Sequence, residues 1–274
     1  MRRGLILATV LGLAAAAPVG AQDSSGLERL TTREQLLGWE AVGRVDIADG
    51  GFCTGALIAT DLVLTAGHCV LNRDGSPINA GRMIFRAGLA DGTALAEVKV
   101  ARTVTHPDFT GSAPLTEDQL KLDVALLQLE TPIPSALAAP FTVGNTGTGA
   151  EVSVVSYGKG REEAPSWQKV CSVLARQNGL VAVNCDVMFG ASGAPVFDRS
   201  DGRAKIVSII SSGSHDGDEK VAFGMELPDL VELLKARLRQ GKVLSDVVKE
   251  VKPTIRRIGA GDGSGNIGAR FVKP

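Results

Sequence analysis

"CTGALIATDLVLTAGHC", Cys53 to Cys69, is the stretch on which the fold turns. It is an apolar run rich in β-formers that ends in Gly67-His68-Cys69. The chain has only 3 histidines, and one of them sits at the end of this run. A buried imidazole needs a hydrogen-bond partner, so its placement asks for a reason.

The same texture continues outward. From Val42 to about Ser212 the sequence is a series of short β-rich runs, among them "GRVDI", "RMIFRAG", "AEVKVARTVTH", "DVALLQLE", "AEVSVVSYG", "APVFD" and "AKIVSIISSG". Turn chemistry of the Gly/Asp kind ("NRDGSP", "DRSDGR") separates them. Many short strands without intervening helices predict an all-β sandwich or barrel. The first helical pattern of any length is "LPDLVELLKARLRQ", Leu227–Gln240. Pro228 and Asp229 open it, Gly241 closes it, and Leu230, Val231, Leu233, Leu234 and Leu238 form its apolar stripe.

The first 21 residues read as a signal peptide: Arg2 and Arg3, an apolar run from Leu5 to Ala17, then small residues ending at Ala21. That run is shorter than the ~20 residues of a membrane span, and no later segment approaches that length. Residues 22–37 are a polar segment and a candidate propeptide, 38–240 the main domain, and 241–274 a basic, Gly-rich tail. A secreted or periplasmic location follows. Export makes the 4 cysteines readable as disulfides. Three pairings are possible. The two sequence-local ones, Cys53–Cys69 and Cys171–Cys185, are expected. No C-x-x-C spacing or dense carboxylate cluster suggests a metal site. A net charge of −1 gives no reason to expect nucleic acid or anionic lipid as a partner.

Three features combine into chemistry. His68 ends the opening run. Asp123 leads the apolar run "DVALLQL", where its charge needs a partner. Ser192 sits in "FGASGAPVF", inside Gly-Ala-Ser-Gly between apolar flanks. Each alone has an ordinary structural explanation. Together they supply a base, its orienter and a nucleophile, the three roles that serine catalysis needs. Gly190 would let the chain aim bare backbone N–H groups at one point, as an oxyanion hole requires.

These stretches resemble the trypsin-like (chymotrypsin-fold) serine peptidases, of a secreted bacterial type with some likeness to the glutamyl endopeptidase branch. The resemblance rests on "CTGALIATDLVLTAGHC", "THPDF", "DVALLQL", "GASGAP" and "IVSIISSGS", in family order across Val42 to Leu238. It implies two antiparallel β-barrel lobes, a C-terminal helix and a cleft between the lobes. By the same likeness His68 is the general base, Asp123 orients it and Ser192 is the nucleophile. Gly190 and Ser192 form the oxyanion hole, and Ser211 to Gly213 pair with the substrate main chain. The implied protein is a monomeric endopeptidase without a cofactor, acting on protein or peptide substrates. Most family members carry an aspartate before the serine, which receives a new N-terminal amine in animal zymogens; here that position is Ala191.

Asp186 lies six residues before Ser192, where trypsin holds the carboxylate that binds Lys or Arg, so a Lys/Arg preference is the leading expectation. Glutamyl and small apolar preferences stay open, although no histidine falls within "IVSIISS" and His215 comes a few residues later. The competing function is a catalytically silent or latent binding protein on the same fold.

Overall fold

The computed structural model describes residues 26–48, 50–111, 114–216 and 219–246. The expected signal peptide and the tail beyond residue 246 lie outside them. After a short strand β1 (Leu27–Arg29) come six strands: β2 (Val42–Ile47), β3 (Gly51–Ala59), β4 (Leu62–Thr65), β5 (Met83–Ala87), β6 (Ala96–Thr105) and β7 (Ala125–Leu129). They are hydrogen-bonded in the order β6-β5-β2-β3-β4-β7, and a β6–β7 ladder closes the ring. Every pairing in it is antiparallel. In β5, Met83, Phe85 and Ala87 are buried while Ile84 and Arg86 are partly exposed, the two-residue period of a sheet with one face in the core. A short helix α1 (Glu117–Leu120), capped by the Thr116 side chain, leads into Asp123 and β7.

The second lobe runs through β8 (Thr142–Val143), β9 (Glu151–Gly158), β10 (Arg161–Gln177), β11 (Leu180–Val183), β12 (Pro195–Asp198), β13 (Lys205–Ile209), β14 (Ser212–Asp216) and β15 (Glu219–Met225). Its sheet order is β14-β15-β11-β10-β9-β12-β13-β8. The expectation of antiparallel pairing has one exception, since β8 lies parallel to β13 at the edge. No ladder joins the two end strands of this sheet among the described residues. The Ser211 N–H donates to the Phe223 carbonyl (2.8 Å), extending the β14–β15 ladder, and the Ser208 hydroxyl on β13 donates to the Met225 carbonyl on β15 (2.9 Å). β9 touches both lobes, packing against β2 and β3 of the first, and all but its first residue are buried.

The C-terminal helix α2 spans Pro228–Arg239 and buries Val231, Leu234 and Leu238. Leu233, expected in the stripe, is instead exposed, because positions 231, 234 and 238 define one face at about 100° per residue and 233 falls off it. A final strand, β16 (Ser245–Asp246), pairs with β6. No helix among the described residues is long and apolar enough to cross a membrane.

The segment read as a candidate propeptide is woven into the core from residue 26 onward. β1 pairs with β10, Leu30 and Leu36 are fully buried, and the Arg33 guanidinium donates to the carbonyls of Gly88 and Thr93. Just beyond it, Trp39 packs between Phe197 (ring centroids 4.9 Å apart) and Trp167 (5.2 Å), joining the start of the chain to the second lobe.

Candidate active site

The expected cysteine pairs are bonded: Cys53 to Cys69 and Cys171 to Cys185. The first ties β3 to the 3-10 turn Gly67–Val70 that follows β4 and carries His68. Gly67 is required there, since a Cβ would lie 2.7 Å from the Phe109 ring and 3.0 Å from an Asp123 carboxylate oxygen. The disulfide thus fixes the far side of a turn whose near side is pressed against Asp123.

Asp123 is completely buried. One carboxylate oxygen accepts from the His68 backbone N–H at 2.7 Å; the other lies 2.7 Å from His68 Nδ1 and accepts from the Ser211 hydroxyl at 2.5 Å. The carboxylate therefore orients both the imidazole and the turn beneath it. With Nδ1 turned inward, Nε2 is left for the cleft. Burial of the His68 ring opposes its protonation, but the hydrogen bond and negative charge of Asp123 outweigh burial and raise its pKa above the ordinary imidazole value. Ser211, expected only as a partner for substrate backbone, has this second task, which its neutral, unremarkable sequence context does not signal.

His68, Ser192, Ser211, Ser212 and Gly213 line one cleft of about 680 Å³, with Leu115, Val187, Met188, Phe189 and Ile210 making its apolar walls. No hydrogen bond joins the Ser192 hydroxyl to the His68 ring among the described residues; a relaxed nucleophile–base contact is common before substrate binds. His68 also lies beside Cys53 and Cys69, with donor atoms within 4.8 Å of one another. Because those sulfurs are bonded to each other, they offer no thiolate to a metal.

The loop around Ser192 has a consistent hydrogen-bond pattern. The carbonyl of Phe189 accepts from Lys159 N–H (2.7 Å), that of Gly190 from the Thr54 hydroxyl (2.9 Å), and that of Ser192 from Thr54 N–H (2.8 Å). The N–H groups of Ala191 and Gly193 donate to the carbonyls of Met188 and Ile210. Those of Gly190 and Ser192 donate to nothing among the described residues. Gly190 has φ of +96°, and a Cβ there would lie 2.4 Å from the Phe52 ring, so only glycine fits. Two unpaired donors one residue apart, beside a serine, are the polar arrangement that a developing oxyanion needs.

Asp186 precedes Val187, which lines the cleft. Asp186 itself does not line the cleft, and its side chain is only 12% exposed. Its carboxylate accepts from Lys220 Nζ on β15 at 2.6 Å, and its own backbone N–H donates to the Gln168 side chain. The carboxylate expected to bind a substrate Lys or Arg is paired with Lys220 in this structure. His106 accepts from the Asp108 backbone N–H, in keeping with a loop role.

Two β lobes, the first a closed barrel, place a serine and a histidine on one cleft, with a buried aspartate behind the histidine. A trypsin-like peptidase domain model matches residues 53–205, and the chain belongs to that family. Serine protease SP24D of Anopheles gambiae is 36% identical over 113 residues, 40% of this chain and 37% of the relative. A trypsin-like protease of Streptomyces glaucescens is 30% identical over 188 residues, covering 59% of this chain and 65% of the relative. The chain therefore spans less than two thirds of either relative's length. Among solved structures, a Glu endopeptidase in complex with MPD superposes with a TM-score of 0.62 at 19% identity, over 78% of this chain and 96% of that one. That likeness is one of fold.

Proposed function

We propose that this protein is an exported serine endopeptidase that works through His68, Asp123 and Ser192. The observation that carries this is the buried Asp123 carboxylate holding His68 Nδ1 at 2.7 Å in the cleft that also contains Ser192. Ser192 Oγ attacks the scissile carbonyl while His68 Nε2 takes its proton. The carbonyl oxygen becomes an oxyanion that receives the N–H groups of Gly190 and Ser192. His68 then gives the proton to the leaving amine, and water repeats the sequence to release the acyl group from Ser192. Each oxyanion donor contributes about 3–4 kcal/mol to lowering the barrier.

β14 is the end strand of its sheet and carries Ser212 and Gly213 along the cleft. An extended substrate can add to that edge by main-chain hydrogen bonds. For the side chain before the scissile bond, the sequence points to Lys or Arg through Asp186. The Asp186–Lys220 pair and the apolar walls of the cleft favour an apolar side chain over a cation, because an incoming cation would have to displace Lys220. Export is supported by the signal-like N-terminus and the two disulfides.

The test is labelling of the purified protein by a fluorophosphonate probe, followed by cleavage of a peptide library, with Ser192→Ala as control. Labelling at Ser192 and cleavage after Leu, Met or Phe is the expected result. Cleavage after Lys or Arg would return Asp186 to the pocket floor. A protein that neither labels nor cleaves would be the silent binding protein on this fold.

A further inference from the structure

The residue before the nucleophile is Ala191, buried and uncharged, so no ionic anchor of its own holds the loop that must present the Gly190 and Ser192 N–H groups. We infer that Thr54, from the first lobe, is the positioning residue of the oxyanion hole in the second. The inference rests on the peptidase reading above.

Thr54 is completely buried on β3, one residue past Cys53. Its hydroxyl accepts from the Tyr157 backbone N–H at 3.0 Å. An N–H can only donate, so the hydroxyl proton is directed to its other neighbour, the Gly190 carbonyl at 2.9 Å. Thr54 N–H holds the Ser192 carbonyl at 2.8 Å, and the Thr54 carbonyl is held in turn by the Thr65 hydroxyl at 2.8 Å. One residue thus grips the loop at both 190 and 192.

The grip has a definite geometric consequence. Fixing the Gly190 carbonyl sets the plane of the 190–191 peptide, and the Lys159 N–H on the Phe189 carbonyl sets the plane of the 189–190 peptide. A trans peptide points its N–H opposite to its carbonyl. The Phe189 carbonyl bond therefore turns the Gly190 N–H the other way, where it has no protein partner among the described residues. Glycine imposes little backbone preference of its own. Thr54 pins the neighbouring 190–191 peptide on the other side of the glycine pivot; without it only the Lys159 bond resists rotation of the 189–190 peptide, and one oxyanion donor is lost when that bond gives way. The Cys53–Cys69 bond, next to Thr54, ties this grip to the turn that carries His68.

The experiment compares Thr54→Val, Thr54→Ser and Ser208→Ala, the last removing a buried hydroxyl bond to the Met225 carbonyl away from the cleft. On a peptide amide, Thr54→Val should lose about tenfold to a hundredfold in kcat with KM nearly unchanged. Its affinity for a peptide boronate, which mimics the tetrahedral state, should fall by a similar factor. Thr54→Ser keeps the hydroxyl and should recover most of the loss, while Ser208→Ala should lower only the melting temperature. Parent-like kcat in Thr54→Val, or equal losses in the Val and Ser variants, would overturn the inference. A crystal structure of Thr54→Val gives an answer independent of turnover: a rotated 189–190 peptide supports the role, and an unchanged one overturns it. An inert, unlabelled parent would instead remove the peptidase reading.

Discussion

Two carboxylates in or beside this cleft have opposite fates. Asp123 is fully buried and is met by His68 and Ser211, neutral donors apart from a protonated imidazole. Asp186, nearly as well hidden, is met by the full positive charge of Lys220. The first carboxylate keeps its influence for a ring that can take and return a proton. The second is neutralised by a lysine that reaches solvent, 40% exposed at its side chain. What a buried carboxylate can do depends less on its position than on which donors the fold brings to it.

The largest effect expected is at the nucleophile and base. Ser192→Ala or His68→Ala should lower kcat by about 10⁶ and leave circular dichroism unchanged, since the three groups act as a unit. Parent-level hydrolysis by Ser192→Ala would break the comparison at its stronger end. Asp123→Asn should cost about 10⁴ in kcat by stabilising the wrong imidazole tautomer.

The Asp123–His68 pairing also has a pH signature. In the proposed mechanism neutral His68 is the working base, so activity should rise with pH through a limb above the ordinary imidazole value of 6.5, and Asp123→Asn should move that limb down. Stability has the opposite sign. Because the folded pKa lies above the unfolded one, the pair's contribution is full below the unfolded pKa and is lost as pH rises through the folded pKa. Urea unfolding of Ser192→Ala across that window measures it; a contribution that grows with pH would contradict the raised His68 pKa.

Disulfide removal distinguishes the regions in another way. Each bond closes a loop of similar size, at sequence separations of 16 and 14, so Cys53→Ala/Cys69→Ala and Cys171→Ala/Cys185→Ala should each cost about 3 kcal/mol in denaturant unfolding. Only the first should also slow catalysis under fully folded conditions, because it anchors the His68 turn and the strand of Thr54. Equal kcat losses from both would place the second bond in the site as well.

The smallest effects are expected at Asp186. If Lys220 is what keeps substrate cations from Asp186, Lys220→Ala should raise kcat/KM for Lys and Arg substrates by about tenfold or more, with cleavage after apolar residues little changed. Asp186→Ser should leave apolar substrates nearly unaffected apart from some loss of stability. If Asp186→Ser abolished a Lys/Arg preference already present in the parent, Lys220 would be a bystander and the contrast between the two aspartates would disappear.

Much of the candidate site was legible before folding was considered because its signals are local. A histidine wedged in Gly-His-Cys, an aspartate leading an apolar run and a serine among small residues each occupy a few positions, and β-rich runs with Gly/Asp turns announce the lobes. The disulfides were legible for the same reason, as cysteines 16 and 14 residues apart can find each other through short loops. The helix was read from its period, with Leu233 misassigned because one residue of phase is invisible without a partner surface.

The sequence by itself determined the β class, the order of the candidate reactive residues and the short-range covalent links, all carried by composition, period and spacing. Only the tertiary structure decided which groups those residues would meet. Thr54 grips a carbonyl 136 positions away, Ser211 reaches Asp123 across 88, and Lys220 claims Asp186 across 34. Leu30 and Leu36 enter the core from a segment that reads as a polar candidate propeptide. Hydrogen bonds and ion pairs act over a few ångströms, so their partners are set by where closed sheets bring distant strands together.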